Sequence, residues 1–368
     1  MNRFVVDRQN LRRNRWQEIA PAPLADGSVR LRIASFALTA NNVTYAAFGD
    51  AMNYWSFFPT GDDATGCIPV WGFADVAESR CDGIAPGERY YGYWPMADAV
   101  DLTPARVGES GFVDAAPHRR ELHALYNQYL RCSADPGYDP AQEAEQALLR
   151  PLFFTSFLID DFLADNDDFG ARAVVIASAS SKTAYGTAFC LKRRDGPAVV
   201  GLTSAANRAY TQRLGCYDRV LAYDDLDELD ANVPSVYVDM SGHAALRGEV
   251  HRRYGDRLTY SCAVGGTHWD ELGSGQGLPG PKPTLFFAPA QVAKRRADWG
   301  AAALQQRLAD AWRAFMVPVT DPRDPWLRVV RGTGRQAVEE VYLALLDGRA
   351  RPEEGHVLEP SSWQSADR

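Results

Sequence analysis

The sequence predicts an α/β protein that combines a mainly β first third with a doubly wound parallel sheet. Residues 28–37 alternate apolar and polar side chains, and this period of two is typical of a half-buried strand. From residue 171 onward, apolar strand-like runs alternate with helix-like segments, as expected for parallel strands covered by helices. The composition, 46% hydrophobic and 23% charged, is that of a globular protein and excludes disordered and collagen-like classes.

The predicted elements follow this division along the chain. The first third contains strand-like segments at 28–37, 68–79 and 89–94. Residues 139–166 are rich in helix formers after the start signal Asp139-Pro140, and Pro151 is a candidate break in that helix. The remaining segments predict strands at 173–177, 198–202, 219–222, 235–239, 258–264 and 284–287, and helices at 182–193, 206–214 and 243–253.

Charge and cysteine content limit the partners and the compartment. The formal net charge of −8 disfavours nucleic acid and anionic membranes as partners. Six cysteines without a CxxC pair are typical of reduced cytoplasmic thiols rather than of a disulfide framework. The longest apolar run, 151–159, is too short to span a bilayer. Arg3, Asp7 and Arg8 interrupt the region where a signal peptide would be apolar, so we expect no export.

The turn after the strand at 173–177 has the composition of a phosphate-binding turn. Small side chains at 177–181 replace the usual glycines and still allow the backbone to approach a pyrophosphate at a helix N-terminus. Ser180, Ser181 and Thr183 add hydroxyl groups and Lys182 adds a positive charge. The alternative is an ordinary polar turn with Lys182 in solvent.

The end of the next strand favours NADPH over NADH. An NAD site commonly places a carboxylate here for the adenosine ribose, whereas an NADP site needs cations and hydroxyls for the 2′-phosphate. This chain has Thr203, Ser204, Asn207 and Arg208, and no carboxylate. The alternative for Arg208 is a solvated helix residue.

The order of these segments resembles the medium-chain dehydrogenase/reductase superfamily, in its zinc-independent quinone-oxidoreductase and enoyl-reductase branch. The resemblance covers nearly the whole chain and rests on the segments at 29–42, 86–92, 200–208, 213–215, 220–223, 238–242 and 264–266. It implies a discontinuous GroES-like catalytic domain, 1–140 and 317–368, around a Rossmann NADP-binding domain, 141–316. It also implies cofactor contacts from Tyr223, Met240, Val264, Gly265 and Phe287, and a homodimer joined through the strand at 284–287.

The resemblance extends to a reaction that needs no metal. The Cys ligand that zinc-dependent members carry near residues 41–43 is missing, and so is their Gly-His-Glu at 70–72. Tyr54 is placed like the proton-donating Tyr of mitochondrial-type enoyl reductases, with Tyr45 as a second candidate and Asn41 near the nicotinamide ribose. His268 follows the fifth strand and is a candidate proton relay. The alternatives are core packing for Tyr54, loop capping for Asn41 and a surface position for His268.

Together these features predict an NADPH-dependent, metal-free reductase of an activated C=C or C=O in a small molecule. The aromatic stretches at 54–59 and 90–95 favour an apolar or aromatic substrate if they face the cleft, although packing in a β-barrel core is the commoner use of such residues. Residues 103–140 form a polar segment that we interpret as a candidate substrate lid. The alternatives are a lyase or isomerase that uses the cofactor transiently, and a non-catalytic NADPH-binding sensor.

Overall fold

A computed structural model describes residues 1–20, 22–264 and 277–360 of the protein. The chain divides into two units, one formed by Met1–Arg150 with Leu327–Arg368 and the other by Pro151–Trp326. None of the helices in the described ranges has the length and apolar composition that crossing a membrane requires.

The first unit consists mainly of strands. Its elements before the unit boundary are β1 (Asn2–Asp7), β2 (Asn14–Glu18), β3 (Val29–Leu38), α1 (Ala40–Ala47), β4 (Thr65–Gly66), β5 (Pro69–Ser79), β6 (Arg89–Pro95), β7 (Ala99–Leu102), β8 (Pro104–Gly108), β9 (Gly111–Asp114) and β10 (Gln128–Arg131). Helix α2 (Glu143–Asp165) crosses the unit boundary.

The second unit alternates strands and helices, and the chain then returns to the first. The second unit contains β11 (Ala173–Ala177), α3 (Lys182–Lys192), β12 (Ala198–Thr203), α4 (Arg208–Arg213), β13 (Arg219–Ala222), β14 (Ser235–Asp239), α5 (Ala244–Tyr254), β15 (Leu258–Ala263), β16 (Thr284–Leu285), α6 (Ala288–Trp299) and α7 (Ala301–Val319). The returning chain forms β17 (Arg328–Thr333), α8 (Gly334–Leu346) and β18 (Glu354–Glu359).

The main sheet of the first unit has the order β17-β18-β3-β5-β6-β10-β9-β8 over the described residues, and β7 also pairs with β3. Val29, Leu31 and Ile33 on β3 are fully buried, while Arg30 and Arg32 between them are more exposed. This alternation is the period-two pattern that the sequence displays. The C-terminal strand β18 pairs antiparallel with β3, so both ends of the chain contribute to this sheet.

Part of the segment 103–140, which we interpreted as a candidate substrate lid, extends this sheet. Strands β8, β9 and β10 hydrogen-bond in succession, and β10 pairs with β6. Arg119 is buried, with its Nε 3.0 Å from Oδ2 of Asp114. The polar composition therefore arises partly from a buried ion pair rather than from a solvated surface.

The second unit confirms the predicted doubly wound fold. Its six described strands are all parallel and have the order β13-β12-β11-β14-β15-β16. In this order the chain reverses direction across the sheet between β11 and β14, and ligands of such sheets bind outside the carboxyl ends of the strands at that point. The core of this unit includes the buried side chains of Val175, Leu202, Leu221, Tyr237 and Val250.

Three differences from the sequence prediction concern a helix break, a helix start and a short strand. Helix α2 continues through Pro151 instead of breaking there. The helix expected at 206–214 starts as a 3-10 turn, Ala205–Asn207, before α4. The strand expected at 284–287 is reduced to the two residues of β16.

Candidate functional site

The carboxyl ends of the parallel strands bring most of the predicted cofactor-binding residues to one edge of the sheet in the second unit. Strand β11 is followed by the turn at 178–181, β12 by Ser204 and β13 by Tyr223. Met240 follows β14 and Val264 follows β15, and both are partly buried. Gly265 and His268 lie outside the described residues.

The turn after β11 is tight, and a residue other than glycine occupies its left-handed position. Ser178 has a φ of 55°, a conformation that side chains with a Cβ disfavour. The backbone N–H of Ser181 donates to the carbonyl of Ser178 at 2.8 Å, and that of Ala179 donates to Leu202 on β12 at 2.9 Å. These two bonds close the turn against the neighbouring strand.

Helix α3 begins directly at this turn. The Ser181 hydroxyl accepts a hydrogen bond from the N–H of Ala184 at 3.4 Å and caps the helix. Lys182 and Thr183 occupy its first turn. A helix N-terminus presents backbone N–H groups and the positive end of the helix dipole, which together favour an anion such as a pyrophosphate.

Ser180 and Thr203 link the two predicted cofactor loops to each other. Both side chains are buried, and their hydroxyl oxygens lie 3.3 Å apart. Asn207 donates through Nδ2 to the Ser180 hydroxyl at 3.2 Å. We infer that Ser180 and Thr203 shape the turn, whereas Ser181, Lys182 and Thr183 lie at the N-terminus of α3.

Arg208 lies beside a carboxylate that the sequence pattern did not reveal. Its Nη1 is 3.0 Å from Oδ2 of Asp225, and both side chains are partly exposed. Asp225 belongs to the turn Tyr223–Glu228 after β13, so it approaches from the next strand rather than from the end of β12. Tyr223 is partly buried, and burial raises its pKa above that of a free phenol.

The loop after β14 is held by a buried carboxylate. Oδ1 of Asp239 accepts hydrogen bonds from the backbone N–H groups of Ser241 and Gly242, each at 3.0 Å. The carbonyl of Asp239 accepts the N–H of Val264 at 2.8 Å and so ties together the ends of β14 and β15. Phe287, which follows β16, is 58% exposed.

The first unit gathers four tyrosines and a tryptophan, which we call the tyrosine cluster: Tyr45, Trp71, Tyr54, Tyr93 and Tyr126. The rings of Tyr45 and Tyr54 are 4.5 Å apart at their centroids, and those of Tyr93 and Tyr126 are 4.7 Å apart. These residues come from α1, β5, β6 and two short 3-10 turns, Tyr54–Phe57 and Ala124–Asn127.

One hydrogen bond and several ring contacts connect the members of the tyrosine cluster. The Tyr45 hydroxyl accepts a hydrogen bond from Trp71 Nε1 at 3.4 Å. The ring centroid of Tyr126 lies 6.0 Å from that of Tyr54 and 6.4 Å from that of Tyr45. Burial raises the pKa of Tyr45, of Tyr54 and of Tyr126, so each hydroxyl keeps its proton at neutral pH.

The structure brings the candidates Asn41, Tyr45 and Tyr54 together. The capping role that we considered for Asn41 belongs to its neighbour Asn42, whose Oδ1 accepts the N–H of Thr39 at 2.8 Å. Sequence reasoning missed the contribution of Tyr126. Its only sequence signal was its place among the polar and aromatic residues of 103–140, a segment outside the motifs of the resemblance.

The buried hydroxyls of Tyr91 and Tyr93 have no hydrogen-bond partner among the described residues. Burial raises the pKa of both. Over the same residues, no three His, Cys, Asp or Glu side chains are grouped closely enough to hold a metal ion.

Comparison with known proteins gives a family for the chain and a fold. Residues 36–351 match the family described as "Protein of unknown function (DUF2855)", and the chain belongs to that family. No curated protein matches the sequence.

Solved structures are similar over almost the whole chain. CurA from Vibrio vulnificus in complex with NADPH is 13% identical with a TM-score of 0.63, covering 98% of this chain and 99% of that one. The quinone oxidoreductase from Coxiella burnetii is 11% identical with a TM-score of 0.55, covering 98% and 99%. The yhdH oxidoreductase from Salmonella enterica in complex with NADP is 15% identical with a TM-score of 0.52, covering 98% and 100%. The fold is therefore that of the medium-chain dehydrogenase/reductases.

Proposed function

We propose that the protein is an NADPH-dependent, metal-free oxidoreductase that reduces an activated C=C or C=O of a small molecule, such as an enone or a quinone. The observation that carries this proposal is the meeting of the turn after β11, Tyr223 and Arg208 at the carboxyl edge of one parallel sheet. The complexes of CurA with NADPH and of yhdH with NADP, which share this fold, support the choice of cofactor.

The residues of the second unit fit this cofactor. The turn is built from small side chains, and a Cβ at Gly201 of β12 would lie 2.8 Å from the Cβ of Ala179, so strand and turn are packed as closely as they can be. Ser181, Lys182 and Thr183 would hold the pyrophosphate at the N-terminus of α3. The 2′-phosphate would be held by charge-assisted and hydroxyl hydrogen bonds from Ser204, Arg208 and Tyr223.

The nicotinamide side of the same edge would be formed by Met240 and Val264, with Gly265 and Phe287 as further candidates from the resemblance. NADPH, when bound, supplies the hydride. The protein must then bind the substrate oxygen and supply a proton to it or to the adjacent carbon.

The tyrosine cluster of the first unit is suited to this second task. Tyr54 would donate the proton as a general acid, because burial keeps its hydroxyl protonated at neutral pH. Asn41 would orient a carbonyl or the cofactor ribose, and Tyr45 and His268 remain secondary candidates for the proton. The cluster is aromatic and contains no ionised side chain, so we propose a neutral, apolar or aromatic substrate.

The proposal of a metal-free reaction rests on the sequence. Cys and Gly-His-Glu ligands are missing at the positions where zinc-dependent members of the superfamily carry them. The six cysteines are all free thiols, which suits a reducing, cytoplasmic environment.

Cofactor binding and turnover are tested separately. Fluorescence titration of the protein with NADPH and NADH is expected to show tighter binding of NADPH. Oxidation of NADPH, followed by its absorbance, is then expected with at least one member of a panel of quinones and enones. Binding without turnover of any panel member would favour the non-catalytic sensor, and absence of NADPH binding would refute the proposal.

The role of Tyr54 is tested by removing one oxygen atom. The variant Tyr54→Phe is expected to lower the rate of the chemical step by about 10²- to 10⁴-fold, the usual contribution of a general acid, with little effect on NADPH affinity. Unchanged turnover would remove Tyr54 from the mechanism and direct attention to Tyr45 or His268.

A further inference from the structure

Strand β6 places in the tyrosine cluster a buried hydroxyl, that of Tyr93, which bonds to none of the described residues. We propose that the Tyr93 hydroxyl is a substrate-binding group, which donates a hydrogen bond to the carbonyl oxygen of a neutral substrate. The inference rests on the proposed function, because it takes the tyrosine cluster as the place where that reaction binds its substrate. Tyr93 would then bind the oxygen, and Tyr54 would supply the proton.

The unpaired state of this hydroxyl sets it apart from other phenols of the first unit. Two other buried tyrosines use their hydroxyls to hold the backbone. Tyr129 donates to the carbonyl of Tyr93 at 2.9 Å, and Tyr342 donates to the carbonyl of Leu11 at 2.7 Å. A buried hydroxyl without a partner costs about 1–3 kcal/mol. Phe at position 93 would pack as well without this cost, so the hydroxyl needs a reason other than packing.

Aromatic rings surround the fully buried Tyr93 side chain. Its ring centroid lies 4.7 Å from that of Tyr126, 5.0 Å from that of Trp71 and 5.7 Å from that of Tyr45. The ring of Phe57 lies 5.3 Å away on the same measure. Folding has already removed water from the Tyr93 hydroxyl. A ligand oxygen that accepts its hydrogen bond would therefore meet a donor that needs no further dehydration.

The hydroxyl of Tyr91 is also buried without a partner among the described residues, but its place is less suitable. Tyr91 stacks on Trp71 with the ring centroids 5.6 Å apart, and the guanidinium of Arg150 lies 5.0 Å from its ring centroid. Tyr93 instead contacts Tyr45, which is itself a candidate for the proton. The contacts of Tyr93 therefore favour it as the group that binds the substrate oxygen.

Tyr126 is the most exposed member of the tyrosine cluster. It is partly buried, whereas the other four members are buried. It belongs to the short 3-10 turn Ala124–Asn127, in which the neighbouring Leu125 is 40% exposed. A flat substrate ring that displaces the ring of Tyr126 would make similar aromatic contacts. The oxygen of such a substrate would then meet the Tyr93 hydroxyl.

The same surroundings determine which substrates fit. Burial raises the pKa of Tyr93 well above that of a free phenol, so its hydroxyl keeps its proton and remains a donor at neutral pH. A carboxylate would lose its hydration among these rings, and we therefore expect neutral carbonyl compounds to bind in preference to acids. Negative charge that develops on the bound oxygen after hydride addition would strengthen the hydrogen bond.

The test compares two ligands that differ in one oxygen atom. Acetophenone carries a neutral carbonyl on an aromatic ring, and ethylbenzene has nearly the same shape without the oxygen. Their affinities are measured by NMR titration in excess NADP⁺, which has no hydride to transfer, for the wild type, Tyr93→Phe and Tyr185→Phe. Tyr185 is the matched control, because its hydroxyl is also buried without a partner among the described residues but belongs to the second unit.

In Tyr93→Phe the ratio of the two affinities is expected to move against acetophenone by about tenfold, the effect of losing one hydrogen bond. Tyr185→Phe should keep the ratio of the wild type. A second measurement needs no variant. The infrared carbonyl band of isotope-labelled acetophenone bound to the wild type should lie at lower frequency than in an apolar solvent, because a hydrogen bond weakens the C=O bond.

An unchanged ratio in Tyr93→Phe, or an equal change in Tyr185→Phe, would overturn the inference. The same holds if acetophenone does not bind the wild type, or if its carbonyl band is not shifted. Failure of the proposed function gives a different result. In that case the wild type oxidises NADPH with no quinone or enone of the panel, and both ligand measurements can still be made.

Discussion

The contact between Arg208 and Asp225 sets the charge that a cofactor would meet at the end of β12. The two side chains form a partly exposed ion pair at 3.0 Å, and exposed pairs of this kind contribute little to stability. A 2′-phosphate carries more charge than one carboxylate and offers more oxygen acceptors. It would therefore compete with Asp225 for the guanidinium of Arg208.

From this competition we predict opposite effects for the two partners. Arg208→Ala should weaken NADPH binding by about 10- to 100-fold and leave NADH nearly unchanged, because a charge-assisted hydrogen bond contributes about 1.5–3 kcal/mol. Asp225→Asn should tighten NADPH binding, since it removes a negative charge near the phosphate. Fluorescence titrations of both variants with both cofactors measure this, and equal losses for NADPH and NADH in Arg208→Ala would contradict the assignment.

The Tyr93 hydroxyl is a single buried group that should affect the stability of the protein. It is buried without a hydrogen-bond partner among the described residues, and such a group costs about 1–3 kcal/mol relative to its hydrated state. Tyr93→Phe should therefore leave the stability unchanged or increase it by up to about 1 kcal/mol, seen as an equal or higher denaturant midpoint. A clearly lower midpoint would show that the hydroxyl has a partner.

At the scale of elements, the turn between β11 and α3 contains a residue with a strained backbone conformation at the predicted phosphate site. Ser178 adopts a φ of 55°, and the left-handed conformation costs an L-residue about 1–2 kcal/mol. Ser178→Val should lower the denaturant midpoint further, because β-branched side chains are least compatible with positive φ. Ser178→Gly is the control and should not fall below the wild type, since glycine adopts a positive φ without this strain.

A midpoint for Ser178→Val equal to that of Ser178→Gly would contradict this view of the turn. NADPH titration of both variants adds a functional readout. If the left-handed residue shapes the phosphate site, Ser178→Val should bind NADPH more weakly than Ser178→Gly.

Elements with strong periodicity were predicted from the sequence almost to the residue. The buried run at 173–177 and the strands at 219–222 and 235–239 have the bounds expected, because apolar runs between turn signals leave little freedom. The expected break at Pro151 was wrong. Apolar residues on both sides of it, including Leu148, Leu149 and Phe153, are buried, so packing outweighs the lost backbone hydrogen bond.

The site was predicted less completely than the fold, for reasons of distance along the chain. Asn41, Tyr45 and Tyr54 lie within 14 residues of each other, and a positional resemblance was enough to single them out. Tyr126 and Asp225 contact their partners through the packing of separate segments, so no local sequence pattern predicts these contacts. In the segment 103–140 the pairing of β8, β9 and β10 and the buried ion pair of Arg119 with Asp114 also join separate stretches of chain.

At the scale of the whole molecule, the first unit depends on both ends of the chain. Strand β18 pairs with β3, as Val357 does with Ala37. Val338 and Tyr342 of α8 share a core cluster with Phe4. A chain that ends before residue 327 would leave one side of β3 partly unpaired and this cluster open to water.

We therefore predict that no independently stable fragment ends within the second unit. Limited proteolysis should yield either intact protein or fragments in which the two ends stay associated. An independently stable 1–230 fragment, with cooperative thermal unfolding of its own, would contradict the discontinuous arrangement. The unit boundaries lie at 150 and 327, whereas the domain limits 1–140 with 317–368 around 141–316 remain a prediction.

The edge of the parallel sheet is a candidate surface for assembly. Strand β16 pairs with β15 on one side, and over the described residues the sheet ends there. An unpaired strand edge invites pairing with a second copy, and Phe287 beside it is 58% exposed. We expect a homodimer in light scattering at micromolar concentration. Phe287→Lys should shift it toward monomer, because it places two like charges near each other across a two-fold axis.

Val317→Lys is the matched control, since Val317 is 71% exposed on α7, outside the sheet. A wild-type monomer, or equal dissociation by both variants, would refute pairing through this edge.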